Sequence, residues 1–236
     1  MSKHTLSIII PSYNEEKNLE QLVKEFSTAG KNNDFELILV NNGSTDNSEA
    51  KFSELQKKFE FLKIVQVKKN QGYGFGIAAG LREANGTYVS WTHADLQISP
   101  KYVFEALKRA VQEPNKNIFV KGKRSGRSIT DMFFTFGMTI FCSIVLGEWL
   151  NEINAQPNLF HKSFLKKIKN PPKDFSFDLY VFYLAKKSNL KIIRFPVEFK
   201  ERRQGESSWN TGVMNKIKFI KRTMEFTFKL KQTLED

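Results

Sequence analysis

Four short apolar runs, residues 6–11 (LSIIIP), 35–40 (FELILV), 62–67 (LKIVQV) and 87–92 (TYVSWT), constrain this chain more than any other feature. Between them lie segments of helical period. Residues 14–30 carry Leu19, Leu22, Val23 and Phe26 on one face, residues 47–59 carry Phe52, Leu55 and Phe59, and residues 76–84 form a third segment. The runs lack the polar alternation of a sheet with one wet face, so both faces must be covered. Strands of that kind, regularly alternating with helices, predict an α/β fold with a mostly parallel sheet flanked by helices.

Ligands on such sheets bind in the crevice beyond the carboxyl ends of the strands. Residues 12–16, 41–46, 68–74 and 93–97 should therefore converge. Each is suited to a ligand. In NNGSTDNS the Asn, Gly and Ser residues favour tight turns, and Ser44 or Asp46 can cap the next helix. KKNQGYG offers cations and glycines that permit close approach, and HADLQ offers His93, Asp95 and Gln97 as donors to a hard cation.

The 236 residues, 40% of them hydrophobic, are enough for a substantial core, and the formal charge of +12 points to an anionic partner. Lone Cys142 excludes an internal disulfide framework and fits a reducing compartment. The N-terminus enters the first strand without a signal-like apolar region. The longest uncharged run, residues 132–147, is shorter than the ~18–20 residues that span a bilayer. The expected setting is cytoplasmic, peripheral on the inner face of the membrane. A nucleic-acid module is disfavoured: no zinc-finger spacing, RNP signature or heptad array occurs.

In order and spacing, SIIIPSYNEEKNL, LILVNNGSTDNS, NQGYGFGIAAGL and HADLQ resemble the nucleotide-binding half of a family 2 glycosyltransferase of GT-A fold, a Rossmann-like architecture. The later FPVEFKERRQGESSW is similar to the basic segment of its polyprenyl-phosphate sugar synthases, such as the dolichyl-phosphate mannose synthases, so the likeness spans roughly residues 5–210. It implies an inverting transfer from a nucleotide sugar, with a lipid phosphate as acceptor and a glycan hydroxyl as the alternative. The implied donor site comprises Pro11, Tyr13, Asn14, Glu15, Asn41, Asn42, Ser44, Asn70, Gly72, Gly74, His93, Ala94 and Asp95. A divalent cation, Mn²⁺ or Mg²⁺, is implied on Asp95 and Gln97.

Two departures from the family pattern stand out, and they keep a transferase-like protein that has lost activity as a further alternative. His93 occupies the first position of an Asp-x-Asp element. Imidazole suits Mn²⁺ better than Mg²⁺, so His93 is a third ligand, a hydrogen-bond donor to the nucleotide, or a histidine held by backbone. Asn41-Asn42 replaces a usual Asp-Asp, leaving amide oxygens to accept from a base. A nicotinamide reading of the G-x-G-x-x-A match at Gly74, Gly76 and Ala79 fails on position, because that fingerprint follows the first strand of its sheet.

In the second half, Asp178 is read as a catalytic base or as an acid serving the helix dipole. Arg202, Arg203 and Ser207 match a phosphate-clamping segment, with Arg202 also assigned to catalysis and Gln97 beside it at the acceptor. Trp209 is placed over a sugar face, and KGKRSGR, residues 121–127, is a second basic cluster. His161 is read as structural. Residues 131–150 form either a buried or dimer-forming helix or an interfacial one. In the C-terminal amphipathic helix, residues 211–236, one stripe (Val213, Ile217, Ile220, Met224, Phe228) is expected to pack on the domain. A second (Phe219, Phe226, Leu230) is expected to meet an anionic bilayer. The organisation expected is one catalytic domain over 1–210, with a donor half, 1–100, and an acceptor half, 101–210.

Overall fold

The computed structural model describes residues 4–126, 129–200 and 213–235. Its first half alternates β1 (His4–Ser12), α1 (Glu16–Ala29), β2 (Phe35–Asn42), α2 (Ser48–Lys58), β3 (Leu62–Val67), α3 (Tyr73–Arg82) and β4 (Gly86–Trp91). The second half continues with α4 (Lys101–Gln112), β5 (Ile118–Ser125), α5 (Ile129–Leu146), β6 (Asn158–His161), α6 (Ser176–Lys187), β7 (Lys191–Glu198) and α7 (Val213–Glu235). The seven strands form one sheet in the order β3-β2-β1-β4-β6-β5-β7. The first four are parallel, β6 runs antiparallel to β4 and β5, and β7 is parallel to β5.

The covering of both faces follows from period-two geometry. Ile8, Ile10, Leu37 and Leu39 enter one core with Leu19, Leu22, Phe26 and Phe52 of α1 and α2. Their strand neighbours Ile9, Ile38 and Val40 enter the other, with Ile77 of α3 and Phe177 and Val181 of α6. Complete burial of a branched or aromatic side chain contributes about 1.5–3 kcal/mol, so this two-sided pattern dominates the stability. Chain order reverses direction beside β1, which pairs with β2 on one side and β4 on the other. That is a topological switch point, and its crevice lies beyond the strand ends.

Helix α3 starts earlier than its apolar spacing suggests, at Tyr73, because Gly72 takes φ +103 and turns the chain into it. Helix α7 packs the opposite way from expectation. Leu230 is buried and Phe226 partly so, both against the core, while Ile217 and Phe228 are exposed. The inward face is completed by buried Thr223 and Thr227. Their hydroxyls donate to the carbonyls of Phe219 (2.9 Å) and Thr223 (2.7 Å), which hides their polarity from the core. Helix α5 packs against α7 and buries Cys142 and Leu146, yet leaves Phe133, Phe136 and Ile144 in solvent. Among the described residues, no helix is long and apolar enough to cross a membrane.

Candidate active site

A cavity of about 830 Å³ opens at the switch point. Pro11, Tyr13, Asn14 and Glu15 after β1, Asn42 ending β2, Asn70 and Gly72 before α3, and His93, Ala94, Asp95 and Gln97 after β4 all line it. All four loops named from sequence thus reach one space.

The loops are tied to one another by their own polar groups. Asn14, at φ +56, accepts from the Thr45 N–H (2.8 Å), and its own N–H donates to Ser44 Oγ (3.1 Å). Asp46, one residue before the N-cap Asn47, accepts at Oδ1 from Ser48 N at the start of α2 (3.0 Å), while Ser44 serves the first loop. Asn42 Nδ2 donates to Gly72 O (2.9 Å). A carboxylate at that position has no proton to offer the carbonyl, which gives the Asn42 departure a physical reason. Asn41 is buried with Oδ1 accepting from Ser44 N (3.0 Å), shaping the turn without lining the cavity. Gly74 also lies off the cavity. A β-carbon there would stand 2.3 Å from Pro172 O, so the glycine permits α3 to meet the loop before α6.

Asp95 is 8% exposed, with Oδ1 accepting from Gln97 N (3.2 Å). Gln97 reaches the far half of the molecule: its Nε2 donates to Lys200 O (3.1 Å) and its carbonyl accepts from Lys200 N (2.9 Å). Its amide nitrogen is therefore engaged at the end of β7, directly before the segment carrying Arg202, Arg203, Ser207 and Trp209, which lies outside the described residues. Among the described residues, no group of three or more His, Cys, Asp or Glu could hold a metal. Of the carboxylates that line the cavity, Asp95 is the one carried by the loop after β4, beside His93 and Gln97.

The His93 ring stacks on Tyr73, centroids 5.3 Å apart, and Tyr73 stacks on Phe175 at 4.7 Å. Phe175 meets Phe219 of α7 edge-on at 6.2 Å, with the Arg222 guanidinium over both rings. Burial, followed by the charges of Asp178 and Asp95, pushes the Tyr73 hydroxyl well above its ordinary pKa and keeps it a proton donor.

Asp178 lines the cavity from the first turn of α6 and is 2% exposed. Its Oδ1 accepts from Trp91 Nε1 (2.9 Å), Gln156 Nε2 (3.2 Å) and Asn158 Nδ2 (3.3 Å). The reversed strand β6 makes this possible, since its beginning, rather than its end, lies at the crevice. From the second basic cluster, Arg124 lines the cavity and pairs with Glu152 at 2.7 Å. His161 caps the following 3₁₀ turn, Lys162–Lys167, by accepting from Ser163 N, a structural place as expected. Sequence reasoning missed Tyr73, Trp91, Gln156 and Asn158. Tyr73, an aromatic among four glycine-rich turn residues, was the one with a local signal.

Residues 7–187 match the family model described as glycosyl transferase family 2. The chain belongs to that family. This family 2 protein is 26% identical over 208 residues to a dolichol-phosphate mannosyltransferase of Pyrococcus furiosus, covering 86% of the chain and 58% of the relative. It is 36% identical over 133 residues to an undecaprenyl-phosphate 4-deoxy-4-formamido-L-arabinose transferase of Proteus mirabilis, covering 55% of the chain and 39% of the relative. The chain thus spans well under two thirds of either relative. Among solved structures, glucosyl-3-phosphoglycerate synthase of Mycobacterium tuberculosis, in complex with Mn²⁺, UDP and glucosyl-3-phosphoglycerate, superposes with a TM-score of 0.73 at 16% identity. The match covers 97% of this chain and 80% of that one. The shared architecture is the GT-A fold.

Proposed function

We propose that this family 2 protein transfers a glycosyl group from a nucleotide sugar to a polyprenyl phosphate at the cytoplasmic face of a membrane. One observation carries the reading: the cavity is polar at the strand-end loops and apolar where Phe134 and Met138 of α5 meet Phe219 and Ile220 of α7. An amphiphilic acceptor fits that gradient, and both relatives are named for lipid-phosphate substrates. In this reading residues 1–100 hold the donor, and residues 101–210 with α7 hold the acceptor.

The acceptor's phosphate oxygen attacks the anomeric carbon while the bond to the nucleotide diphosphate breaks, inverting that carbon. Asp95 would hold a divalent cation, with Gln97 or His93 beside it, and the bound cation neutralises charge on the departing diphosphate. The chain's own groups do the rest. Tyr13 and Asn42 border the nucleotide, Arg124 brings a cation to the acceptor wall, and Arg202, Arg203 and Ser207 are assigned to phosphate binding. A phosphate monoester is largely ionised near neutrality, its second pKa being about 6, so it needs orientation more than a base. Asp178, whose Oδ1 is held by three N–H donors, is then a fixed group of the cavity wall rather than a base.

Kinetics on two variants with lipid-phosphate and soluble-sugar acceptors test the proposal. Asp178→Asn is expected to lower turnover less than about tenfold, whereas loss of a true general base typically costs 10²–10⁴-fold. Arg202→Ala should chiefly raise KM for the lipid phosphate. An almost inactive Asp178→Asn enzyme that accepts a soluble sugar as well as a lipid would move the assignment to a hydroxyl acceptor.

His93→Asp supplies the missing carboxylate at the loss of a ring stack worth about 0.5–1.5 kcal/mol. Calorimetric Mg²⁺ titration in the presence of donor nucleotide should show tighter binding. An unchanged titration would assign His93 to the Tyr73 stack alone.

A further inference from the structure

Lys121 is the buried cation that the transfer reaction described above does not use. It lies on β5, fully buried, with Nζ donating to Ala155 O and to Asn158 Oδ1, each at 2.7 Å, and sitting 5.4 Å from the centre of the Phe182 ring. An ammonium only donates, so the atom of Asn158 that faces it must be the oxygen. That fixes the rest of the wall in sequence. Asn158 Nδ2 turns to Gln156 Oε1 (2.7 Å) and Asp178 Oδ1. With its oxygen occupied, Gln156 presents Nε2 to Asp178 Oδ1 and to the Tyr73 hydroxyl oxygen (3.2 Å). Asn158 and Gln156 are 1% and 0% exposed, so no solvent competes for these bonds.

We infer that Lys121 is a positioning residue which, through Asn158 and Gln156, orients and charge-balances Asp178 and the Tyr73 hydroxyl at the cavity wall. A neutral residue at 121 leaves Asn158 Oδ1 and Ala155 O without the buried donor that holds that side of the wall. It also removes the buried amine that Asn158 links to the Asp178 carboxylate. Burial drives the Lys121 pKa down and Asp178 opposes this, while Arg194 and Arg124 lower it further and Glu152 raises it. Among the charges around Lys121, Asp178 opposes the effect of burial most, and the two side chains are linked across one amide. The role in turnover rests on the proposed reaction, but the coupling does not.

The test compares Lys121→Met, Asp178→Asn and the double variant. Breaking one side of a buried charge pair should lower the Tm of Lys121→Met by on the order of 10 °C, and adding Asp178→Asn should restore part of that loss. If Lys121→Met alone yields no folded protein, recovery of folded protein in the double variant is the expected result, and failure to recover it overturns the inference. Strictly additive Tm losses overturn it too. In ¹⁵N spectra of the full chain, the Trp91 indole N–H, assigned by its absence in Trp91→Phe, reports the Asp178 carboxylate directly. It should move in Lys121→Met, and an unmoved resonance in a folded variant assigns Lys121 to packing alone. In the transfer assay Lys121→Met should lower kcat about threefold, no more than Asp178→Asn does, with donor KM little changed, the pattern of a misplaced group rather than lost binding. Were the chain not a transferase, this last arm would be silent while the first two still decide the coupling.

Discussion

Asp95→Ala is expected to reduce turnover by roughly 10²–10⁴-fold. Stabilising a departing diphosphate through a shared cation is an effect of several kcal/mol, and each 1.36 kcal/mol is a factor of ten in rate. The side chain also has a local task, since its Oδ1 accepts from Gln97 N. Alanine removes that bond, which contributes about 0.5–1.5 kcal/mol to stability. Asp95→Asn separates the two effects, because an amide oxygen still accepts from Gln97 while the charge is gone. Both variants should therefore lose catalysis alike, and only the alanine should melt measurably earlier. Full turnover by either variant at saturating donor would remove Asp95 from the chemistry.

The second large effect concerns α5. Phe133 and Phe136 are 76% and 57% exposed, on a helix flanked by the lysine-bearing α7. Fully withdrawing a phenylalanine from water yields about 1.5–3 kcal/mol, and shallow seating in an interface about half of that. Phe133→Ser with Phe136→Ser should accordingly weaken binding to vesicles containing anionic lipid by roughly 10- to 140-fold, at about 1.4 kcal/mol per decade. Val111→Ser, on the distant exposed face of α4, serves as the control and should change nothing. Unchanged vesicle binding together with loss of a dimer in sedimentation would reassign this face to a second copy of the chain.

The first half of the fold was legible because its strands are buried on both sides. Residues such as Ile8, Ile9 and Ile10 leave no choice of face, so the alternation of strand and helix survives in the bare sequence. The convergence of the loops then followed from the topology. Residue roles were harder to see wherever a partner comes from far along the chain. Lys121 reads as one cation in a basic cluster, and nothing within ten residues indicates that its ammonium ends beneath Phe182. Asn41 and Asn42 read alike, yet one shapes a turn while the other donates to a carbonyl 30 residues away. The two faces of α7 were assigned in reverse because threonine counts as polar by composition, although Thr223 and Thr227 satisfy their hydroxyls within the helix and pack as small apolar groups.

The rings of His93, Tyr73, Phe175 and Phe219 run without interruption from the donor loop to α7. In the proposed reading, the nucleotide and the membrane surface would meet opposite ends of this row. A shift of Tyr73 on nucleotide binding that reaches Phe219 would change the affinity of α7 for that surface. By linkage, the surface that engages α7 changes nucleotide affinity by the same factor. Nucleotide affinity measured with and without vesicles, and vesicle affinity measured with and without nucleotide, are then two readings of a single coupling constant.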